Sequence, residues 1–177
     1  MKKEIRISND DLKHIYTVCG KHVAQTDTRP ILKYIQLIVE NGVCTATCTN
    51  TYTLAQVKTK VDGDDGEYII PVVKVPKGMF VNIINTEKEI TIDFVSSVHI
   101  ERMPAGEFPD FKRFIKIPEQ PTYEIGADAK LLINSLSSMK NSDYVKLTFG
   151  SNMEGFFITP RTGESYFVMQ LPVNLRR

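Results

Sequence analysis

The chain repeats one order of elements three times: a short alternating strand, an amphipathic helical stretch, and a run of further strands. The predicted helices open near residues 10, 76 and 128. Between them, apolar and polar residues alternate in short runs, which is typical of half-buried strands. Because a recurring supersecondary unit constrains a fold more than any single motif does, we predict an α+β fold of three related repeats with antiparallel sheets.

The first repeat shows this pattern most clearly. Residues 3–8 predict a strand, and residues 10–24 predict a helix whose apolar side chains form one stripe. Lys13 and Lys21 lie on a separate stripe of that helix. The Asn41-Gly42 pair then predicts a tight hairpin turn, because both residue types adopt left-handed backbone angles at little cost.

The second and third repeats each predict one more helix. Residues 76–86 begin with proline, which is favoured in the first turn of a helix, and Asp128 is a suitable N-cap for the third helix. In the second helix, the residues expected to face inward are Phe80, Ile83 and Ile84. In the third helix, the residues expected to share a face are Leu132, Ile133, Leu136 and Met139.

Length and composition narrow the class of protein. A length of 177 residues suits one domain or two small ones, and 42% hydrophobic residues can form a real core. The net charge of +1 means that any contact with nucleic acid depends on locally placed lysines. Three cysteines without metal-binding spacing indicate reduced, buried thiols. No apolar run approaches the roughly 20 residues that cross a bilayer, and the start lacks a signal-peptide pattern, so we expect a cytoplasmic protein.

No motif for enzyme chemistry stands out. The sequence contains neither a phosphate-binding glycine loop nor a nucleophile elbow, and it indicates no cofactor and no metal site. His14, His22 and His99 have no nucleophile near them in the chain, so we expect solvated or hydrogen-bonded histidines. We therefore predict that the protein is not an enzyme. Catalytic residues dispersed over an unrelated α+β scaffold are an alternative.

Three segments resemble one known family. Phe108-Pro109-Asp110-Phe111 lies between the second and third repeats, and Leu171-Pro172-Val173-Asn174-Leu175 lies near the end. Residues 47–55, TCTNTYTLA, are similar to a Thr-Ala-Thr-Asp-Gly-His-Arg-Leu-Ala stretch of the same family. Together with the repeated unit, these segments resemble the bacterial DNA polymerase III beta subunit, the sliding clamp. The likeness extends over nearly the whole chain.

The resemblance implies a DNA-clamp-like architecture, in which helices occupy the inner face and antiparallel sheets lie outside. It divides the chain into a complete clamp-like domain of two repeats at 1–118 and a half domain of one repeat at 119–177. A full clamp chain has twice as many repeats as this one. An unpaired repeat leads us to expect self-association, and four copies would supply the repeats of one ring. The implied function is a DNA tether or processivity factor.

For the inner face, the resemblance implies lysines that attract duplex phosphates without reading sequence, so that the protein can slide. Each predicted helix offers at least one lysine outside its apolar face. The candidates are Lys13, Lys21, Lys77, Lys130 and Lys140. The alternative is that these are ordinary solvated lysines on amphipathic helices.

For partners, the resemblance implies a hydrophobic pocket that takes short peptide tails of polymerases and repair enzymes. One wall would comprise Val168, Met169, Leu171, Pro172, Val173 and Leu175. The opposing wall would comprise Thr49, Thr51, Tyr52, Thr53 and Leu54. Tyr52-Thr53 stands where the family has His-Arg, and Asn174 stands where it has Arg. Two alternatives stay open: the final segment is simply a core strand, or the chain is a non-encircling peptide-binding module that competes with or regulates a full-length clamp.

Overall fold

Antiparallel strands dominate the structure, a computed structural model. It describes residues 2–26, 29–110, 125–139, 144–150, 155–161 and 167–173. The chain forms two units, Met1–Phe111 and Lys112–Arg177, called unit 1 and unit 2 below. The predicted domain boundary between 118 and 119 falls within 111–124, outside the described residues, and stays a prediction.

Among its described residues, unit 1 contains helix α1 (Asn9–Cys19) and one 3-10 turn (Pro30–Lys33). Its strands are β1 (Lys3–Ser8), β2 (Ile35–Glu40), β3 (Val43–Thr49), β4 (Leu54–Lys60), β5 (Asp62–Gly63), β6 (Gly66–Ile70), β7 (Phe80–Asn85), β8 (Glu89–Asp93) and β9 (Val98–Arg102). They form two sheets with the orders β5-β1-β7-β8-β9 and β4-β3-β2-β6. Every paired neighbour is antiparallel, which confirms the expected α+β class.

The two sheets of unit 1 are interlocked by their opening strands. Strand β1 opens the first repeat but pairs with β7 of the second, from Lys3 opposite Asn85 to Ser8 opposite Phe80. Strand β6 opens the second repeat but pairs with β2 of the first. Each repeat therefore supplies the first strand of the other repeat's sheet. The buried side chains of both sheets and of α1 form one core.

Helix α1 begins at a cap that the sequence encodes. The Ser8 hydroxyl accepts from the Asp11 N–H at 3.0 Å and donates to the Asp11 carboxylate at 2.5 Å. Leu12 and Ile15 are fully buried against the sheets, as the apolar stripe predicts. The helix ends at Cys19, before the predicted end at residue 24, so Lys21 lies in the turn after the helix rather than on it.

The predicted second helix is wrong. Residues 71–79 form a segment without regular structure, called the 71–79 segment below, and β7 follows it. Val81 and Ile83 alternate into the core, whereas Phe80 is 40% exposed. A short apolar run fits both the helical period and the strand period, so its local sequence cannot decide between them. Here, pairing with β1 on one side and β8 on the other makes it a strand.

Unit 2 contains one helix and one small sheet among its described residues. Its elements are α2 (Ala129–Ser137), β10 (Val145–Thr148), β11 (Phe156–Pro160) and β12 (Val168–Gln170). The strands pair antiparallel in that order. Asp128 is the N-cap, as predicted, because its Oδ1 accepts from the N–H groups of Lys130 and Leu131 at 2.8 and 3.0 Å.

The apolar stripe of α2 is only partly covered. Met139 is buried together with Phe156 and Ile158, and Leu132 packs against this small core. Ile133, which was predicted to share one face with Leu132 and Met139, is 62% exposed. Leu136, from the same predicted face, is also exposed. The expectation for these two residues is corrected, because the described part of unit 2 offers only a three-stranded sheet to cover the helix.

No helix within the described ranges has the length and apolar composition needed to cross a membrane. Nor do the described residues contain a group of three or more His, Cys, Asp and Glu side chains that could hold a metal ion. Cys19, Cys44 and Cys48 are buried free thiols. Burial raises the pKa of the Cys44 thiol to about 12, so this thiol stays protonated at neutral pH.

Candidate functional site

Helix α1 and the 71–79 segment lie side by side in unit 1. Asn9, at the start of the helix, donates its backbone N–H to Met79 O at 2.9 Å. Its side-chain amide donates to the carbonyl oxygens of Pro76 and Gly78 at 2.9 and 3.0 Å. Asn9 is only 2% exposed, so these three hydrogen bonds hold the end of the segment against the first turn of α1.

The other end of the segment passes the last turn of α1. A Cβ atom on Gly20 would lie 3.4 Å from Val72 Cγ1, so the Val72 side chain packs against the backbone of Gly20 there. Val73 and Val75 pack against the core of unit 1. The segment therefore runs beside the helix over much of its length, in place of the predicted second helix.

Four exposed lysines lie on these two neighbouring elements or in the turn directly after α1. Lys13 is on α1, Lys21 follows it, and Lys74 and Lys77 are on the 71–79 segment. Lys77 was predicted to lie near a helix and lies on the irregular 71–79 segment instead. Sequence reasoning missed Lys74, although its spacing of three from Lys77 was visible in the chain. The two elements bring these lysines to adjacent parts of unit 1.

Acidic groups beside these lysines are fewer. Asp10 Oδ1 accepts from Lys13 Nζ at 3.5 Å, an exposed pair of small energetic weight. Hydrogen bonds from the hydroxyls of Ser8 and Thr59 hold the pKa of the Asp11 carboxyl below its usual range. On α1, the turn that follows it and the 71–79 segment, four lysines thus stand against two aspartates. This surface carries net positive charge.

The lysines predicted in unit 2 have separate outcomes. Lys130 is exposed in the first turn of α2. Lys140 lies outside the described residues. A lysine at the exposed start of a short helix is free to contact solvent or a phosphate.

The predicted pocket wall of unit 1 is a turn held by hydrogen bonds. We call residues 50–53 the Tyr52 loop. Asn50 Oδ1 accepts from the N–H groups of Tyr52 and Thr53 at 3.1 and 2.8 Å, and from the Thr53 hydroxyl at 3.0 Å. Thr49 Oγ1 donates to Thr53 O at 2.6 Å and accepts from the Thr51 N–H at 3.0 Å. The loop is therefore closed on itself through two side chains.

The backbone of Thr51 is strained. Its φ of +75° lies in the left-handed region, which β-branched residues seldom adopt. In the similar clamp-family stretch, the corresponding position is glycine, which adopts such angles freely. Thr51 in the Tyr52 loop therefore adopts a backbone conformation that is more favourable for glycine.

The wall residues of unit 1 differ widely in exposure. Tyr52 is 93% exposed and Leu54 is 36% exposed, and Thr51 and Thr53 are also exposed. Thr49 is buried, so its hydroxyl stabilises the loop and has little surface to offer a partner. The surface that a ligand could contact here consists mainly of the Tyr52 side chain.

The predicted wall of unit 2 has an exposed apolar face. Phe157 stands opposite Met169 in the β11–β12 register, and the Phe157 and Phe167 rings pack edge to face at 5.5 Å. Met169 is 51% exposed and Leu171 is 66% exposed, with Val173 also exposed. Strand β12 and the residues that follow it thus leave several apolar side chains in solvent.

The other members of this wall lie differently. Val168 packs against the small core of unit 2, on the opposite face of β12 from Met169. Pro172 is half-buried, and the Val173 N–H donates to Gly126 O at 3.0 Å. Leu175 lies outside the described residues. The final strand therefore contributes one face to the core and the other to solvent.

Comparison with known proteins agrees with the fold. No family model matches the chain. The beta sliding clamp of Chlamydia muridarum is 23% identical over 158 residues, which are 81% of this chain and 43% of the relative. The beta sliding clamp of Halalkalibacterium halodurans is 24% identical over 144 residues, which are 74% of this chain and 37% of the relative. The chain thus spans less than half the length of these curated relatives.

Solved clamp structures have the same fold. The sliding clamp of Bacillus subtilis superposes with a TM-score of 0.76 at 23% identity, over 95% of this chain and 48% of that one. The Pseudomonas aeruginosa clamp bound to griselimycin superposes with a TM-score of 0.77 at 18% identity, over 96% of this chain and 49% of that one. The resemblance noted in the sequence is thereby confirmed. In fold, and in sequence over most of its length, the chain is similar to the bacterial beta sliding clamps.

Proposed function

We propose that the chain is a sliding-clamp-like tether that self-associates around duplex DNA, slides on it, and binds partner peptides in a hydrophobic pocket. It would act as a processivity factor in the cytoplasm and would have no catalytic activity of its own. The observation that carries the proposal is the clamp fold combined with the cationic surface of α1 and the 71–79 segment.

The cationic surface supports duplex binding without sequence preference. Lysines are point charges on flexible stems, and they attract phosphates at any position along a duplex. Lys13, Lys21, Lys74 and Lys77 are all exposed, and within the described part of the chain only Lys13 forms an ion pair with a carboxylate closer than 4 Å. Because contacts with phosphates carry no sequence information, such a surface permits sliding.

Exposed apolar side chains in each unit support peptide binding. Met169 and Leu171 are large side chains left in solvent in unit 2, and Tyr52 is one in unit 1. An extended peptide binds such surfaces through a few buried anchors, which supply most of the affinity. Methionine and leucine form an adaptable lining that accepts several partners.

Self-association is supported by the uncovered helix of unit 2. Leu131, Ile133 and Leu136 on α2 are 55%, 62% and 41% exposed. In unit 1, by contrast, two repeats cover each other's apolar faces through exchanged strands. An exposed apolar patch of this kind marks an interaction surface, and a second copy of the chain would cover it. Four copies would supply the number of repeats expected in one ring.

A retention experiment on circular DNA tests the proposal. The chain is incubated at low salt with a nicked circular plasmid, and bound protein is separated from free protein by gel filtration at higher salt. A ring that encircles DNA stays on the circle and is released when the plasmid is linearised. The same sample is analysed by light scattering for oligomer mass.

The outcomes separate the candidate functions. Retention on the circle with loss on the linear form supports the encircling tether. Equal release from both forms contradicts encirclement. Absence of any association with DNA at low salt, together with binding of apolar peptides, would favour a non-encircling module, and turnover of nucleotides or DNA would contradict a protein without catalytic activity.

A further inference from the structure

The Tyr52 loop combines a highly exposed side chain with a turn that several hydrogen bonds hold. Tyr52 is 93% exposed, so the loop presents nearly its whole aromatic side chain to solvent. Yet the N–H groups of Tyr52 and Thr53 both donate to Asn50 Oδ1, at 3.1 and 2.8 Å. A large aromatic side chain on a rigid support is well suited to binding, because little conformational entropy is lost when it is covered.

A residue from outside the loop completes its hydrogen bonds. His22 follows α1, and its Nδ1 lies 2.9 Å from Thr53 Oγ1, across 31 residues of sequence. The Thr53 hydroxyl gives its one proton to Asn50 Oδ1 at 3.0 Å. Thr53 Oγ1 must therefore accept from His22, which places a proton on Nδ1. The result is a pair of linked hydrogen bonds, from His22 to Thr53 and from Thr53 to Asn50.

The hydrogen bond from His22 holds a part of the loop that the Thr49 hydroxyl does not hold. Thr49 Oγ1 bonds to the carbonyl of Thr53 and to the N–H of Thr51, so it holds the backbone. His22 holds the Thr53 side chain. The sequence predicted a solvated or hydrogen-bonded histidine at position 22 but not its partner, because Thr53 is distant in the chain and no local motif marks the contact.

We propose that His22 is a positioning residue for the peptide pocket, and that it holds the Tyr52 loop so that Tyr52 is a preformed anchor for an extended peptide with apolar side chains. The proposal rests on the pocket proposed above. His22 acts by ordering the loop, so removal of its side chain makes residues 50–53 more mobile. A partner then binds more weakly, because binding must also order these residues.

Hydrogen exchange and peptide binding test this together. His22→Ala removes the donor, whereas His22→Asn keeps a side-chain N–H donor at the same branch point. His14→Ala is the matched control, because His14 is an exposed histidine on α1 outside the loop. The probe is a short fluorescein-labelled peptide with two leucines and one phenylalanine. Its affinity is measured by anisotropy in the wild type, in Tyr52→Ala, and in the double variant His22→Ala/Tyr52→Ala.

The expected results are specific to positioning. His22→Ala speeds hydrogen exchange of the Tyr52 and Thr53 amides. It also lowers the affinity for the peptide roughly fivefold, which is the loss expected when an ordered loop becomes mobile. His22→Asn restores both properties, and His14→Ala changes neither. In the Tyr52→Ala background, His22→Ala causes no further loss of affinity, because the residue acts through Tyr52.

Two results overturn the proposal. One is unchanged exchange of the two loop amides in His22→Ala. The other is an equal loss of affinity with and without Tyr52, which would mean that His22 does not act through that side chain. Failure of the wild-type protein to bind the peptide would instead contradict the proposed pocket, and the exchange comparison would still decide whether His22 orders the loop.

Discussion

The side-chain amide of Asn9 donates a hydrogen bond to the carbonyl oxygen of Pro76 at 2.9 Å, across 67 residues of sequence. A second bond from the same amide reaches Gly78 O at 3.0 Å. Through these bonds, the first turn of α1 holds the 71–79 segment where a second helix was expected. The position of Lys74 and Lys77 beside α1 therefore depends on a buried amide in the first repeat.

Asn9→Ala is predicted to destabilise unit 1. The variant loses two hydrogen bonds at a site that is 2% exposed, so we expect the free energy of unfolding to fall by about 2 kcal/mol. Urea unfolding followed by circular dichroism measures the change. Asn134→Ala is the control, since Asn134 is exposed on α2 and should change stability by less than about 0.5 kcal/mol. A stability loss as small as that of the control would mean that the segment is held by other contacts.

Thr51→Gly is predicted to stabilise the protein. Left-handed backbone angles cost a residue with a Cβ atom about 1–2 kcal/mol, and the flexibility of glycine in the unfolded chain offsets about 0.5–1 kcal/mol of the relief. At φ of +75° we therefore expect a gain of about 0.5–1 kcal/mol, measured by thermal or urea unfolding. Thr51→Ala is the control and should bring no such gain, because alanine keeps the Cβ atom. Equal stabilisation by alanine and glycine would refute the strain at this position.

Replacing Lys13, Lys21, Lys74 and Lys77 together by alanine is predicted to weaken duplex binding. Each lysine that neutralises a phosphate contributes roughly 0.9 to the slope of log affinity against log salt concentration, so the slope should flatten by up to about 3–4. Titration of a labelled duplex with each protein at several salt concentrations measures this slope. Lys88→Ala is the control, because Lys88 is exposed between β7 and β8 and flanked by Glu87 and Glu89. An unchanged slope in the quadruple variant would place the DNA contacts elsewhere.

Met169→Ala and Leu171→Ala are predicted to weaken peptide binding without unfolding unit 2. Both side chains are more than half exposed, so their truncation should cost less than about 0.5 kcal/mol of stability. Binding of the labelled leucine and phenylalanine peptide should weaken several-fold, because apolar anchors lose their contact surface. Ile158→Ala is the contrasting control: this side chain is 0% exposed, and its truncation should cost about 2–5 kcal/mol. Large destabilisation by Leu171→Ala would instead identify a core strand.

Asp11 is predicted to make part of the stability of unit 1 dependent on pH. Its ordinary pKa is 3.8, and the bond from the Ser8 hydroxyl lowers the pKa in the folded state. The folded state therefore favours the carboxylate, and this contribution is complete above pH 3.8 and is lost as the pH falls through the lower, folded value.

Comparison with Asp11→Asn across pH isolates this contribution. The difference in unfolding free energy between wild type and Asp11→Asn should be constant near neutral pH and shrink below about pH 4, the range in which unfolded aspartates bind protons. Asp10→Asn serves as the control, because Asp10 is exposed at the same helix terminus. A difference that grows on acidification would reverse the sign and contradict the carboxylate's role.

Local chemistry in the sequence determined many of the elements. The caps Ser8 and Asp128 start their helices, and Asn41 and Gly42 adopt φ of 53° and 73° in the predicted hairpin. Strand β1 alternates as predicted, with Ile5 and Ile7 buried. These features depend on residues close together in the chain. The resemblance to clamps could be seen for the same reason, because the repeats and the segment TCTNTYTLA are local stretches of sequence.

Tertiary structure decided the rest, because the deciding partners are distant in sequence. Residues 80–85 became a strand since β1 and β8 offer unpaired backbone groups on both sides, and a buried strand without partners would lose those hydrogen bonds. Ile133 faces solvent because no described element covers it. His22 reaches Thr53 across 31 residues, a contact that no local pattern encodes. The periodicity of the sequence thus determined which apolar residues share a face. Only long-range strand pairing and packing determined which of those faces became buried.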